Sequence, residues 1–338
     1  MTYKAFGAIS LCVILLTGCA TSSKRTDNLD KKVLVYNSIS GRIGSDGPVL
    51  VVKIDDTRQA HPQIGLEGAD IVYIEQVEGG LTRLAAIFSS IIPTRIGPVR
   101  SARISDLELL SQYGHVVFAY SGAQSKLLPE ISNANLQDLG AQSQPPSIYT
   151  TDPNRNQPYA MVLRADLLMQ KVAEKGYAIA QSKNMGWNFG PAPAQGSSII
   201  SAKISWPATS YTVVWSASQS RWLLSHDGLS DVTESGKVLG ATTFVIQKVQ
   251  ITDSQYRDKI GGITPFSATV GNGTGFILRG GKSFAASWSR PTADSLTRWS
   301  SADGSEIKFA RGQIWVALID KDPEFTLKKV SAPPSPTK

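Results

Sequence analysis

The sequence predicts an α+β, or α/β, N-terminal domain followed by an all-β C-terminal domain. Three observations carry that expectation. Residues 48–185 mix buried-strand runs with two helical patterns. Residues 198–320 hold only short β runs, broken by turn pairs such as Asp227-Gly228, Gly280-Gly281 and Asp303-Gly304. Between them, residues 186–197 have the Gly-, Pro- and Ser-rich composition of a linker.

In the first half the strand runs are 48–55 (PVLVVKID), 69–77 (ADIVYIEQV) and 81–90 (LTRLAAIFSS), each bounded by Gly or Pro signals. Gly79-Gly80 makes a tight turn between the last two. A helix should begin at Ser105, with Glu108 completing a capping box and Ile104 and Leu109 forming a hydrophobic staple. Asp106 and Glu108 suit the dipole of its first turn, and the helix should stop near Gly114. Residues 115–120 (HVVFAY) read as a strand. Residues 158–175 read as a second helix, opened by Pro158 and closed by Gly176. In the second half the runs at 198–205, 211–216, 221–226, 242–249, 275–278, 283–288 and 314–319 show no helical period. They predict a sandwich or partly closed barrel. Residues 321–338 read as a polar, Pro-rich tail, and no internal repeat is present.

The N-terminus speaks to location. Lys4, the apolar run 5–16 and small residues before Cys19 have the pattern of a secretory signal. The run is too short for a permanent membrane span. Leu16-Thr17-Gly18-Cys19 is similar to a bacterial lipobox, which implies cleavage before Cys19 and lipid on its thiol. Residues 1–18 are then a lipoprotein signal peptide and 19–47 a lipidated tether and lead-in. The protein is expected on the extracytoplasmic face of the cell membrane, with the membrane as its partner through the lipid on Cys19. Each buried acyl methylene adds about 0.8 kcal/mol to that anchorage. Cys12 leaves with the signal and Cys19 is acylated, so disulfides, thiol catalysis and thiolate metal sites are excluded.

Composition narrows the function. Hydrophobic residues at 41% are enough for a packed core. The net charge of +7, or +6 without Lys4, is spread thinly and does not point to nucleic acid. G-x-S-x-G, H-E-x-x-H and P-loop motifs are absent. His61, His115 and His226 are too scattered along the chain to predict a metal centre, so no metal and no cofactor is expected. His115 opens an apolar strand and reads as structural. His226 precedes a turn and reads as solvent-facing. Trp206, Tyr211, Trp215, Trp222, Trp288, Trp299 and Trp315 fall mostly within strand patterns and read as core.

The densest chemistry lies in residues 55–103. Asp55, Asp56, Glu67, Asp70, Glu75 and Glu78 come first. Then Arg83, Arg95, Arg100 and Arg103 stand in a stretch, 79–105, that holds no acid. Guanidinium forks grip carboxylate or phosphate in a bidentate way, and a helix N-terminus adds a favourable field. That suits an anionic ligand. The same arginines would equally serve to pair with Asp55, Asp70, Glu75 and Glu78. Glu75 and Glu78 are candidates for an acid–base pair, although their strand parity differs unless the Gly79-Gly80 turn bends the chain.

Three segments carry a family resemblance: VVKIDDTRQAHPQIGLEGADIVY (51–73), VEGGLTRLAAIFSS (77–90) and IGPVRSAR (96–103). With GNGTGFILRGGK (271–282), SWSR (287–290) and DGSEIKFARGQIWVALI (303–319), they resemble the YerB-like lipoproteins, the family of domain of unknown function 3048. The resemblance covers most of residues 48–320 and implies a two-part, extracytoplasmic lipoprotein. Its preferred residues carry over as Asp55, Gln63, Asp70, Glu75, Glu78, Arg83, Arg100 and Arg103. Asp56 stands where the family usually has Asn, and His61 where it usually has Arg. Pro146 and Ser147 replace a His-Asn pair, which would remove any catalytic base placed there.

The expected function is binding of an anionic cell-envelope ligand or partner through a cleft lined by Arg83, Arg100 and Arg103, with Asp55 and Gln63. A hydrolase of envelope glycan or phosphodiester, using Glu75 and Glu78, is the first alternative. A non-catalytic scaffold for membrane proteins, recognised by a flat apolar patch, is the second.

Overall fold

The β-branched runs of the first half form three paired strands: β1 (Leu50–Asp55), β2 (Ile71–Gln76) and β3 (Thr82–Phe88). The computed structural model describes residues 34–328. The expected signal peptide at 1–18, Cys19, residues 20–33 of the expected tether and residues 329–338 lie outside the described residues. β3 lies between β1 and β2, antiparallel to both. Side chains alternate across the pleat. Val52, Ile54, Val72, Ile74, Leu84 and Ala86 join one core, while Val51, Tyr73, Ala85 and Ile87 join another. Every residue of β1 and β3 is buried, so both faces of the sheet are covered.

The last apolar strand of the chain, Ile314–Ile319, is the seam between the halves. It runs parallel to β2 on one side and parallel to Thr243–Lys248 on the other. An uninterrupted IWVALI run is stable only where both faces are covered, as in the middle of a parallel arrangement. Antiparallel strands Gly271–Arg279 and Lys282–Arg290 continue the sheet. It then reaches Ser197–Ser205, Ser210–Ser216 and Arg221–His226. These outer strands curl back over the centre: Trp206 Nε1 donates to Leu318 O at 2.9 Å, and the Tyr211 and Trp315 rings lie 6.1 Å apart.

Several expectations change accordingly. The C-terminal part is all-β, but it shares one sheet with the N-terminal part. The N-terminal part mixes strands with short helices and is not helix-rich. The expected linker at 186–197 is packed: Trp187 is buried and stacks on Phe309 with centroids 5.0 Å apart. The described residues 34–328 belong to one compact unit, in which Ile39 of the expected lead-in is fully buried. Glu324–Leu327 of the expected tail is an edge strand paired with Ser197–Ser205.

The helix expected over 158–175 is a helix only at Ala165–Lys175. Met161–Arg164 is a strand, because pairing with Tyr149–Thr151 and Arg95–Ile96 satisfies its backbone. Helix α1 (Ile104–Ser111) starts two residues early. Its cap is Arg103, whose N–H donates to Asp106 Oδ2 at 2.6 Å. Ser105 and Glu108 are drawn to tertiary partners instead. Ser105 Oγ accepts the Ser267 N–H at 2.9 Å, and Glu108 accepts the N–H groups of Thr269 and Val270 at 2.6 and 2.9 Å. Those partners belong to or follow a hairpin, Gln250–Arg257 with Ile263–Ala268, that has no counterpart among the predicted strands.

Candidate functional site

The strand register places Asp55 opposite Arg83 and Arg83 opposite Glu75. Opposed side chains of antiparallel strands share a face, so these three charges form a row. Residues 100–103 cross that face. Arg100 N–H donates to Lys53 O at 2.8 Å, and Ser121 N–H donates to Arg100 O at 3.0 Å. After β2, the turn Glu78–Gly80 needs φ of +69° and +73° at Gly79 and Gly80, conformations natural to glycine. Only one of the two predicted acids, Glu78, then reaches the cleft.

The cleft has a volume of about 520 Å³ and is lined by Asp55, Glu78, Arg83, Arg100, Arg103 and Tyr159 among others. The hairpin of the C-terminal half forms one wall with Asp258, Lys259 and Ile260. Arg100 Nε lies 2.6 Å from Asp55 Oδ2, and its guanidinium sits 5.9 Å from the Tyr159 ring centroid. Arg103 donates to Glu78 Oε2 from Nε at 3.0 Å and from Nη2 at 2.7 Å. The Thr264 hydroxyl donates to the other Glu78 oxygen. Burial works against the charged form of Glu78, but Arg103 outweighs it and holds the carboxyl below its usual range.

Arg83 is different. Its Nη1 donates to Ser101 O at 3.1 Å, and among the described residues no carboxylate lies within ion-pair distance of it. Burial, then the neighbouring Arg103 and Arg100, push its pKa down to about 9. It is a guanidinium at the cleft with less counter-charge than its position demands.

Glu75 does not line the cleft. Lys53 Nζ lies 3.0 Å from Glu75 and 2.7 Å from Asp106, and all three residues are fully buried. Burial, then Asp106, push the Glu75 carboxyl up to about 8. Glu75 is therefore part of an internal triad, and the acid–base pair considered from the sequence is not assembled in one cavity. Asp70 is also taken: it accepts from Ser40, Ser89 and Ser90 and ties the turn after β3. Arg95 is largely exposed, 3.8 Å from Asp152 and Glu234.

Gln63 lies in a second cluster, outside the cleft lining. Its Nε2 is 3.3 Å from Asp56 Oδ1 and 3.2 Å from His61 Nε2. Asp56 also accepts the hydroxyls of Tyr211 and Thr82, at 2.6 and 2.5 Å. His61 Nδ1 is 3.1 Å from Asp231. Burial opposes a charge on His61, but Asp231 and Asp56 outweigh it and raise its pKa to about 10. Two of the departures noted in the sequence, Asp56 and His61, are partners of each other, with His61 Nε2 3.4 Å from Asp56 Oδ1.

His226 corrects an expectation: it is 5% exposed and stacks on His61 with centroids 4.5 Å apart. The parity of its strand explains this, since Trp222, Leu224 and His226 all face inward while the turn begins one residue later. That alternation was available in the sequence and outweighs proximity to a turn. His115 is half-buried, with Nδ1 3.1 Å from Asn135 Oδ1. Thr264, Tyr159 and the 258–260 wall were not foreseen, because nothing local marks which loops meet at a distant cleft.

Models of a protein family match residues 38–178 and 202–316, described as the N-terminal and C-terminal domains of a protein of unknown function, DUF3048. The chain belongs to the DUF3048 family. A relative, "Putative lipoprotein YerB" of Bacillus subtilis (strain 168), is 26% identical over 179 residues. That match spans 52% of this chain and 54% of the relative, about half the length of each. The crystal structure of the Bacillus subtilis YerB protein superposes with a TM-score of 0.72 at 19% identity, covering 85% of this chain and 97% of that one. The DUF3048 fold is shared; the YerB resemblance read from the sequence motifs holds.

Proposed function

We propose that this DUF3048 protein is a lipid-anchored, extracytoplasmic receptor that binds an anionic cell-envelope ligand in the cleft around Arg83. The observation that carries the reading is the Arg83 fork, which faces the cleft without a carboxylate of its own while Arg100 and Arg103 are already paired. The lining holds four cations (Arg83, Arg100, Arg103, Lys259) and three carboxylates (Asp55, Glu78, Asp258), a surplus of one positive charge. That favours a singly charged group, a phosphodiester or a carboxylate, over a dianion. Tyr159, Leu81 and Ile260 supply apolar surface for the body that carries the charge. A hydrolase would need a free carboxylate, but Asp55 and Glu78, the cleft carboxylates nearest the arginines, are held in ion pairs, and Glu75 lies outside the cleft lining.

The test is binding of poly(glycerol phosphate) and of polygalacturonate to the chain from residue 20 onward, by calorimetry. Arg83→Met should lower affinity at least tenfold for whichever polymer binds. It should leave the melting temperature unchanged or raised, because a poorly compensated buried charge has been removed. Affinity for both polymers that is unaltered by Arg83→Met, or no binding by the parent chain, overturns the reading.

A further inference from the structure

Outside the cleft, the residue after β1, the loop at 61–63 and the end of strand Arg221–His226 bring two imidazoles and a carboxylate together. Asp56, His61 and His226 each offer a donor atom, and these lie within 4.8 Å of one another. We propose that Asp56, His61 and His226 bind one divalent transition-metal ion of the Zn2+ type, with the amide oxygen of Gln63 as fourth donor.

The orientation of the rings is the first argument. Both histidines present Nε2 to the same carboxylate: His61 is 3.4 Å from Asp56 Oδ1, and His226 is 3.9 Å from Asp56 Oδ2. Both turn Nδ1 to another aspartate, His61 to Asp231 at 3.1 Å and His226 to Asp227 at 3.9 Å. For His61 the carboxylate in hydrogen-bond reach of Nδ1 favours the tautomer that leaves a lone pair on Nε2, the arrangement that orients metal-binding histidines, whereas Asp227 stands beyond hydrogen-bond reach of His226 Nδ1. The Thr209 hydroxyl lies 2.9 Å from His226 Nε2 and donates its proton to Asp227 Oδ1 at 3.0 Å, so a metal ion on Nε2 would replace the Thr209 contact.

Distances are the second argument. Zn2+ holds nitrogen and oxygen at about 2.0–2.2 Å in a tetrahedron, which puts the donors about 3.3–3.6 Å apart. The observed 3.4 and 3.9 Å run to the two oxygens of Asp56, and the donor atoms of the three residues lie within 4.8 Å of one another, so binding requires the donors to close together and the stacked rings to rotate. Gln63 stands where a fourth donor belongs, its amide head 3.2 Å from His61 Nε2 and 3.3 Å from Asp56 Oδ1. Gln63 is fully buried and its Oε1 has no partner. Turning the amide by half a rotation exchanges oxygen and nitrogen at the same place.

Charge and access agree. Asp56 and Asp231 are both buried, and Asp231 Oδ2 has no hydrogen-bond partner. A proton on His61 offsets one of the two carboxylates; a divalent ion in its place offsets both. A proton on His61 and a metal ion are alternatives at the same nitrogen. Two nitrogens with carboxylate and amide oxygen suit a borderline ion, whereas Ca2+ and Mg2+ favour all-oxygen shells. A second cleft, of about 470 Å³, opens on His61 between Gln59, Asn156, Arg155 and Glu234 and provides a route in.

The experiment strips the chain from residue 20 onward with chelator, dialyses it against Zn2+, and measures bound metal by atomic emission. One Zn2+ per chain with a raised melting temperature is expected, and Co2+ in its place should give the visible absorption of a tetrahedral site. His61→Gln and His226→Gln should each weaken binding at least tenfold, and Asp231→Asn by about 10–100-fold. Circular dichroism confirms that the variants fold. The proposal is overturned if the folded parent chain takes up no stoichiometric Zn2+, if a folded His61→Gln/His226→Gln double variant binds as well as the parent, or if only Mg2+ or Ca2+ binds.

Discussion

Replacing Lys53 by Met is expected to destabilise the protein by about 3–5 kcal/mol at neutral pH, the usual cost of breaking a buried ion pair by removing one partner. Lys53 is fully buried and is the one cation between Glu75 and Asp106. The two carboxylates outnumber it, and the balance is kept by a proton on Glu75, whose pKa is raised from 4.5 to about 8. Between those values the folded state binds one more proton than the unfolded state. Stability therefore falls as pH rises through that window.

Glu75→Gln mimics the protonated carboxyl. It should remove the downward slope and leave stability at mildly acidic pH nearly unchanged, in contrast to Lys53→Met. Urea unfolding at about pH 5 and about pH 8 reads both effects. A Glu75→Gln protein that keeps the parent's pH slope would show that the proton sits elsewhere.

Trp315→Ala should cost about 3–5 kcal/mol, the range for removing a buried aromatic from a core. Trp315 is fully buried in the seam strand Ile314–Ile319, which joins β2 to Thr243–Lys248. Its indole donates to Gln313 Oε1 at 3.1 Å, and Gln313 in turn donates to the carbonyls of Leu66 and Ala69. The cavity would open where the halves share one sheet. Calorimetry should therefore show a single transition moved to lower temperature. Two separate transitions, with only the later one shifted, would mean that the halves fold independently.

Much of the fold was legible because strand periodicity is local. The cores of β1, β2, β3 and of Arg221–His226 and Ile314–Ile319 are where their apolar runs place them. The hairpin Gln250–Arg257/Ile263–Ala268 was not legible, because its polar side chains (QITDSQYR) carry no alternation of their own. Its strand form comes from pairing and from contacts with Ser105 and Glu78. The helix cap moved from Ser105 to Arg103 for the same reason: Ser105 and Glu108 found partners across the molecule. Of the four arginines that the sequence marked, Arg83, Arg100 and Arg103 line the cleft and Arg95 does not, and the sequence could not divide them into paired and unpaired.

By itself the sequence determined the family, the strand runs and the concentration of charge at 55–103, all properties of contiguous residues. The tertiary structure alone decided that the two halves share one sheet, that Glu75 is sealed beside Lys53 while Arg83 meets a cleft, and that His61 and His226 touch. Those outcomes depend on which distant segments exclude water from a given side chain. A pairing energy between charges is set by that exclusion and by ångström-scale distance, neither of which is a property of neighbours along the chain.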